Sequence, residues 1–149
     1  MTSTITAHLD IDIDRPAPLV WSVVSDYACD PRWRAGVSEM TPDRPGAPTV
    51  GTAVHEVLSL GGREYVTDTV ITDVGPGMHY RFAGHGTGGQ VRGGRTVVAT
   101  ADGSSRFTYE VEVEPEHLSP VMRPVMGWWM RRSFRRDLRR LREHVQALP

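Results

Sequence analysis

One pair of ionisable side chains on neighbouring predicted strands could perform acid–base chemistry. Adjacent glycines at 61 and 62 separate two strand-like runs and predict a two-residue hairpin turn. Counting back from that turn places His55 directly opposite Asp68. An imidazole oriented by a carboxylate is a plausible general base, so this pair is a catalytic candidate. The simpler alternative is a surface cross-strand pair with no catalytic role.

The other face of the same hairpin carries a second catalytic candidate, Glu56. It lies near Tyr65 on that face, and a carboxyl group in an apolar cavity could act as an acid or a base. Both faces mix polar and apolar residues, so the sequence leaves open which face lines an interior. The catalytic role therefore stays open among His55, Asp68 and Glu56.

A second predicted hairpin, turning at residues 102–103, offers an apolar face with a few hydroxyl groups. Counting through the turn puts the even-numbered residues of 90–101 on the same face as Tyr109, and it turns Arg95 and Glu110 outward as a salt bridge. Such a surface fits an orienting ligand pocket, with plain hydrophobic core as the alternative. The residues predicted to contact a ligand are Trp33, Tyr80, Phe82, Thr96, Val98, Thr100, Phe107, Tyr109, Met126 and Met130.

The elements that carry these residues follow in the order strand, two helices, about six strands and a long helix. Strict alternation predicts a strand over 5–13, and an apolar stripe with proline in its first turn predicts a helix over 16–27. A short second helix or turn follows at 29–36, and 41–48 is a loop by composition. The later strands are predicted over 51–60, 63–73, 78–84, 90–101 and 105–114.

The chain ends on an amphipathic helix whose apolar pattern runs from Gly127 onward, with Pro124 either in its first turn or at a kink in a longer helix that begins near Ser119. Its apolar residues recur every three or four positions and lie within about 40° of one line. An antiparallel sheet with one face to cover and a helix with one stripe to bury pack most simply with the helix across the sheet.

The composition excludes several chemistries and restricts the others. All 17 basic residues are arginine, which excludes a Schiff-base lysine and a phosphate-loop lysine. One cysteine and six histidines without paired spacing predict no metal site, and no cofactor is expected. We expect a single domain over residues 1–149, monomeric or homodimeric. It has no run of about 18 apolar residues and no signal peptide, so a cytoplasmic location is expected.

The segment "GHGTGG" at residues 84–89 has the glycine spacing of a dinucleotide-binding turn. That fingerprint requires a helix after the glycines, within a parallel strand–helix–strand unit. The residues that follow, "QVRGGRTVVATA", are rich in strand formers and show no helical stripe. We therefore predict a flexible connection between antiparallel strands over residues 84–94, and no NAD site.

The last 31 residues are strongly basic. Residues 119–149 hold eight arginines against one aspartate and one glutamate, a net +6, whereas the rest of the chain is −7. No nucleic-acid recognition motif accompanies them, so a solvated outer face is the simpler interpretation and no nucleic-acid partner is expected. Trp128 and Trp129 lie off the main helical stripe, where they pack locally or contact a membrane surface or a partner.

The order of several degenerate motifs resembles the START-like or SRPBCC superfamily, in particular its bacterial polyketide cyclase/dehydrase-like branch. The motifs are "IDRPAPLVWSVVSDYACDPRW" near the start, "VGTAVHEV" at 50–57, "GGREYVTDTVITDVGPG" at 61–77 and "DLRRLREHV" at 137–145. The resemblance implies an α+β helix-grip fold, with a seven-stranded antiparallel sheet wrapped around a long C-terminal helix and two short helices closing one end. It also implies a cavity for an apolar ligand between sheet and helix.

Three functions are compatible with this resemblance. The first is binding of a hydrophobic, aromatic or polyketide-like small molecule. The second is an aromatase/cyclase in which His55 or Glu56 assists enolisation and loss of water. The third is a carrier or adaptor that docks on a partner through the C-terminal helix. A shared fold does not decide among them.

Overall fold

The computed structural model of the protein describes residues 4–149, so residues 1–3 of the predicted domain lie outside the described residues. A 3-10 turn over Tyr27–Cys29 links the first two helices. The strands are β1 (Ile5–Ile13), β2 (Val37–Pro42), β3 (Ala53–Leu60), β4 (Arg63–Val74), β5 (Met78–Gly86), β6 (Gly89–Ala101) and β7 (Ser104–Pro115), and the helices are α1 (Ala17–Val24), α2 (Asp30–Trp33) and α3 (Met122–Gln146).

The strands of the described chain form one antiparallel sheet in the order β1-β7-β6-β5-β4-β3-β2. Helices α1 and α2 carry the chain from β1 at one edge to β2 at the other, and every later strand pairs with the strand before it. This architecture confirms the expected helix-grip fold. Strand β2 is absent from the predicted ranges, and its last two residues had been placed in the loop over 41–48.

The helix predicted over 16–27 is wrong at its C-terminal end. Helix α1 ends at Val24, and the side chain of Asp26 accepts a hydrogen bond from the backbone N–H of Ala28 at 3.0 Å. An aspartate in this position begins a new turn more readily than it continues a helix. The chain therefore bends after α1, and this bend directs α2 toward the interior of the sheet.

Helix α3 begins at Met122 and has Pro124 in its first turn, which confirms the first of the two predicted alternatives. Its apolar stripe, which includes Met130, Phe134 and Leu141, is buried, and the helix packs along β1. Arg15 fixes the far end by donating hydrogen bonds to the carbonyl oxygens of Val145 and Leu148. The Val145 carbonyl also accepts from the backbone N–H of Leu148 at 3.1 Å, and together these bonds stabilise the C-terminus of the helix.

The register of the β3–β4 hairpin is as predicted, but the β6–β7 register is not. Ala101 pairs with Ser104 across the expected two-residue turn, and an irregularity between Ala99 and Ala101 then shifts the pairing by one residue. Such a bulge reverses which residues of a strand face inward. Arg95 is consequently buried, and the predicted outward salt bridge with Glu110 is wrong; Thr96, Val98 and Thr100 lie on the outer face instead.

The predicted flexible connection over residues 84–94 is wrong as well. Strands β5 and β6 run through this segment and leave only a two-residue turn, and no helix follows, so the dinucleotide interpretation stays excluded. Gly84 and Gly86 lie where the backbone of β4 approaches most closely: a Cβ at either one would overlap a carbonyl oxygen of Asp68 or Val66. These glycines permit the close approach of two curved strands.

A buried ion cluster joins α2 to the centre of the sheet. Arg95 on β6 donates to both carboxylate oxygens of Asp30, at 2.9 and 2.5 Å, and also to the carbonyl of Val24 at 2.9 Å. Its guanidinium carbon lies 4.9 Å from the ring centroid of Tyr109 and 5.1 Å from that of Trp33. Buried charges require this degree of pairing, because their solvation by water is lost.

We expect Arg95→Met to destabilise the fold strongly, because it leaves the Asp30 carboxylate buried without its main partner. Breaking a buried pair in this way costs about 3–5 kcal/mol. Urea unfolding followed by circular dichroism measures the loss. The matched control is Arg92→Met, three positions earlier on β6, where an exposed side chain pairs with Glu112. Equal losses for the two variants would contradict a special role for the buried cluster.

Candidate ligand cavity

A cavity of about 270 Å³ lies between the sheet and α3. All of the strands in the described chain contribute to its wall, which shows that the sheet curls around it. Most of the wall is apolar or aromatic. The apolar lining consists of Ile5, Met40, Leu58, Leu60, Phe82, Val91, Val111, Val113, Leu118, Met126, Met130 and Phe134, and the tyrosines Tyr27, Tyr65 and Tyr109 add ring faces.

Arg34 and Glu56 form a polar part of the cavity wall, which Arg95 also lines. Arg34 follows α2, whereas Glu56 lies in the middle of β3. Nη1 of Arg34 donates to Oε2 of Glu56 at 2.9 Å and to Oδ2 of Asp30 at 3.2 Å. The Arg34 side chain is only 2% exposed and its guanidinium lies 5.8 Å from the ring centroid of Tyr109. A charged pair is thus held against an aromatic wall.

The Arg34 guanidinium has N–H groups that make no hydrogen bond within the described residues. Burial acts to lower the pKa of Arg34, but the neighbouring carboxylates of Glu56 and Asp30 outweigh it and hold that pKa above its ordinary value. The group is therefore charged. Both of its hydrogen bonds use Nη1, and its buried Nε has no partner within residues 4–149. A buried donor without a partner costs free energy, which an acceptor on a bound ligand would recover.

Asp137 of α3 supports the same segment from the other side. Its carboxylate accepts a hydrogen bond from the backbone N–H of Ala35 at 3.2 Å, directly after Arg34. The residue is 3% exposed, and this burial raises its pKa to about 6, although the nearby Arg34 charge acts in the opposite direction. Helix α3 thus fixes the backbone that presents Arg34 to the cavity.

The two catalytic candidates lie on opposite sides of the sheet. His55 and Asp68 are directly paired, as predicted, and Nδ1 of His55 lies 2.7 Å from Oδ1 of Asp68. The hydrogen bond that His55 donates to the Asp68 carboxylate raises the pKa of His55. However, the side chains are 41% and 74% exposed and neither lines the cavity. Glu56 does line it, although it pairs with Arg34 and its surroundings are not purely apolar.

The predicted ligand-contacting residues divide into three groups. Phe82, Tyr109, Met126 and Met130 line the cavity. Trp33, Tyr80 and Phe107 are fully buried in the packing around it, where the Tyr80 hydroxyl donates to the carbonyl of Val24 at 3.3 Å. Thr96, Val98 and Thr100 lie on the outer face for the reason given above, and the side chain of Thr96 bonds to His79 there.

Sequence reasoning missed the two arginines of the site. In the sequence, Arg34 and Arg95 look like ordinary surface residues, because the chain contains 15 other arginines. One local signal existed for Arg34, because Asp30 stands four residues earlier, the spacing of a helical ion pair. Arg95 had no comparable signal, since its partner is 65 residues away.

The described residues contain no group of three or more histidine, cysteine, aspartate or glutamate side chains that could hold a metal ion. No helix within residues 4–149 is long and apolar enough to cross a membrane.

The sequence matches a family of known proteins. Residues 4–146 match the family model described as polyketide cyclase/dehydrase and lipid transport. No curated protein matches the sequence.

Solved structures share the fold at low sequence identity. The Zhui aromatase/cyclase from Streptomyces sp. R1128 is 12% identical, with a TM-score of 0.81 over 97% of this chain and 94% of that one. A START superfamily protein from Mycobacterium smegmatis is 15% identical, with a TM-score of 0.82 over 97% and 99%. A protein from Thermus thermophilus is 15% identical, with a TM-score of 0.81 over 95% and 97%.

We expect Asp137→Asn to change how stability depends on pH. A carboxyl whose pKa is raised by folding stabilises the protein below its unfolded pKa of 3.8, and this contribution is lost as the pH rises through about 6. The difference between those values corresponds to about 3 kcal/mol. The variant should therefore match the wild type near pH 4 and exceed its free energy of unfolding at pH 7.5.

Chemical denaturation at several pH values between 4 and 8 measures this difference. Asp73→Asn is the control, since that side chain is exposed on β4. A constant difference between Asp137→Asn and the wild type across the whole range would show that Asp137 is not protonated in the folded protein.

Proposed function

Because the chain belongs to the polyketide cyclase/dehydrase and lipid transport family, which bears out the sequence resemblance, we propose that it binds a small aromatic or polyketide-like molecule between sheet and helix. The observation that carries the proposal is the apolar cavity with a buried Arg34–Glu56 pair in its wall. A cytoplasmic location, a monomeric or homodimeric state and the absence of a nucleic-acid partner stay predictions.

The size and lining of the cavity define the class of ligand. Ligand pockets commonly enclose about 300–1,000 Å³, so a volume near 270 Å³ suits a compact molecule. Aromatic side chains line much of the wall, including Phe82, Tyr109 and Phe134. Rings pack against one another with offset or edge-to-face geometry and add to the gain from burying apolar area. A flat molecule of two or three fused rings meets these conditions.

The Arg34–Glu56 pair supplies a donor and an acceptor side by side. Nε of Arg34 has no partner among the described residues, and Glu56 uses Oε2 for its bond to Arg34. A phenol or enol would accept from the guanidinium and donate to the carboxylate at the same time. A ligand carboxylate would satisfy Arg34 but would be repelled by Glu56. The favoured ligand therefore carries a hydroxyl or enol group at its buried end.

Binding of 2-naphthol should be detectable by quenching of tryptophan fluorescence or by calorimetry, and it should exceed binding of 2-methoxynaphthalene about tenfold. The methyl ether keeps the rings but cannot donate a hydrogen bond, and an unpaired polar group at a buried site costs about 1–3 kcal/mol. Equal affinity for the two probes would overturn the assignment of the polar end.

Filling the cavity with a larger side chain tests whether 2-naphthol binds there. Val91→Trp adds a ring inside the cavity, whereas Val98→Trp adds one on the outer face of the same strand. We expect the first variant to lose 2-naphthol binding and the second to keep the wild-type affinity. Full binding by a correctly folded Val91→Trp variant would show that the probe binds elsewhere.

The same pair of residues also favours a second candidate function, cyclisation of a polyketide. Here Glu56 would take a proton from a carbon next to a ketone, and the electron pair would move onto the ketone oxygen as an enolate. Arg34 would stabilise that developing negative charge. The enolate carbon would attack a second ketone carbon of the same chain and form the ring bond, and the resulting alkoxide would take the proton held by Glu56. Removal of a second α-proton by Glu56, and its transfer to the new hydroxyl as that group leaves, would then release water and form a carbon–carbon double bond. His55 lies on the outer face, which argues against its participation.

Proton exchange tests this step without knowledge of the natural substrate. Wild-type protein should accelerate the exchange of the α-hydrogens of 2-tetralone in deuterium oxide, as followed by proton NMR. Glu56→Gln should still bind 2-naphthol but lower the rate about 100-fold. His55→Gln is the control on the same strand and should retain the rate. An effect of His55→Gln without one of Glu56→Gln would reject the scheme.

A further inference from the structure

An apolar patch lies exposed at the beginning of α3, and neither of the functions proposed above uses it. The side chains are large, and their exposed fractions range from 43% to 80%. We call this surface the tryptophan patch. Its members are Val121, Met122, Val125, Trp128 and Trp129. Single exposed apolar residues are common on protein surfaces, but five within nine positions form a contiguous patch, which indicates an interaction site.

The tryptophan patch borders the cavity. Met126 lies within the same helical turns and lines the cavity, as does Leu118 just before the helix. The ring of Trp129 covers the β3–β4 turn, because a Cβ at Gly61 would lie 3.5 Å from that ring. Arg63, two residues further on, lines the cavity as well. The tryptophan patch therefore adjoins the cavity at this end of α3, but it faces away from the cavity on the outer side of the helix.

The patch continues into a basic stripe along the outer side of α3. At 100° per residue, the patch and Arg132, Arg136 and Arg139 lie within about 60° of one line on the helix. These three arginines are exposed, and Cζ of Arg132 lies 5.3 Å from the ring centroid of Trp128. The outward face of α3 is thus apolar and aromatic in its first turns and cationic in the following ones.

We propose that this face docks on the surface of an anionic lipid bilayer, with the tryptophan patch inserted among the headgroups. Tryptophan is favoured at the membrane interface, because its ring is apolar and its N–H can bond to a polar group. Arginines beside it would meet lipid phosphates, and each basic residue near an anionic surface strengthens binding.

The charges favour a bilayer over a second copy of this chain. A two-fold dimer pairs a surface with itself, so a dimer that buried this whole face would enclose the arginines of both chains in one interface. Like charges in such an interface are destabilising. The acidic rim residues Glu64 and Glu116 belong to the strand side of the cavity and not to the helix. The docking proposal is independent of any ligand, so it can be tested on ligand-free protein.

Flotation with vesicles tests the proposal. The full-length protein should float with vesicles of 70% phosphatidylcholine and 30% phosphatidylglycerol at 0.1 M salt, and at least about fivefold less with pure phosphatidylcholine. The double variant Trp128→Ala with Trp129→Ala should lower binding to the anionic vesicles about tenfold. The matched control is Val70→Ala with Val98→Ala, which removes exposed apolar side chains from the strands and should bind like the wild type.

Charge-reversal variants separate the contribution of the arginine stripe from that of the tryptophan patch. Arg132→Glu with Arg139→Glu should abolish the preference for anionic vesicles, whereas Arg44→Glu with Arg92→Glu, in the loop before β3 and on β6, should not. Failure of the wild type to float with anionic vesicles would overturn the proposal. So would equal flotation of the tryptophan double variant. A dimer in sedimentation analysis that those alanines abolish, without vesicle binding, would assign the patch to self-association instead.

Discussion

The ion cluster of Arg95, Asp30, Arg34 and Glu56 is the interaction on which the rest of the structure depends. It contains two positive and two negative side chains, and each charge has an opposite partner within 3.2 Å. The four residues come from β6, both ends of α2, and β3, so one network ties the short helices to strands near opposite sides of the sheet. Buried charges of this kind tolerate few alternatives, because any arrangement that leaves one unpaired is costly.

The cluster also explains why the cavity has its particular chemistry. Arg95 uses its hydrogen bonds on Asp30 and the carbonyl of Val24, and it is stacked among aromatic rings. Arg34 is held more loosely, through one nitrogen, and reaches the cavity wall beside Glu56. Both arginines line the cavity and each has a buried Nε without a partner among the described residues, but Arg95 is bound to Asp30 through two nitrogens and Arg34 through one. Asp137 stabilises this arrangement from α3 by holding the backbone of Ala35.

Glycines contribute to function here through the shape of the sheet. Gly84 and Gly86 let β4 and β5 approach more closely than any side chain would permit, and they leave the inner surface of β5 bare beyond Phe82. The spacing of these glycines is that of a nucleotide-binding turn, but a strand and not a helix follows them. Here the glycines allow two strands to approach closely. A motif has its usual meaning only in its usual structural context.

The sequence by itself determined the order of elements, the antiparallel sheet, the pairing of His55 with Asp68 and the apolar stripe of α3, because these follow from local periodicity and from a two-residue turn. Only the tertiary structure decided which faces point inward. One extra residue near Ala99 exchanges the inward and outward faces of β6. The alternation of apolar and polar residues along a strand does not show where such an extra residue is inserted. The meeting of Arg34, Glu56 and Arg95 required the whole sheet to close around α2, since their sequence positions are tens of residues apart.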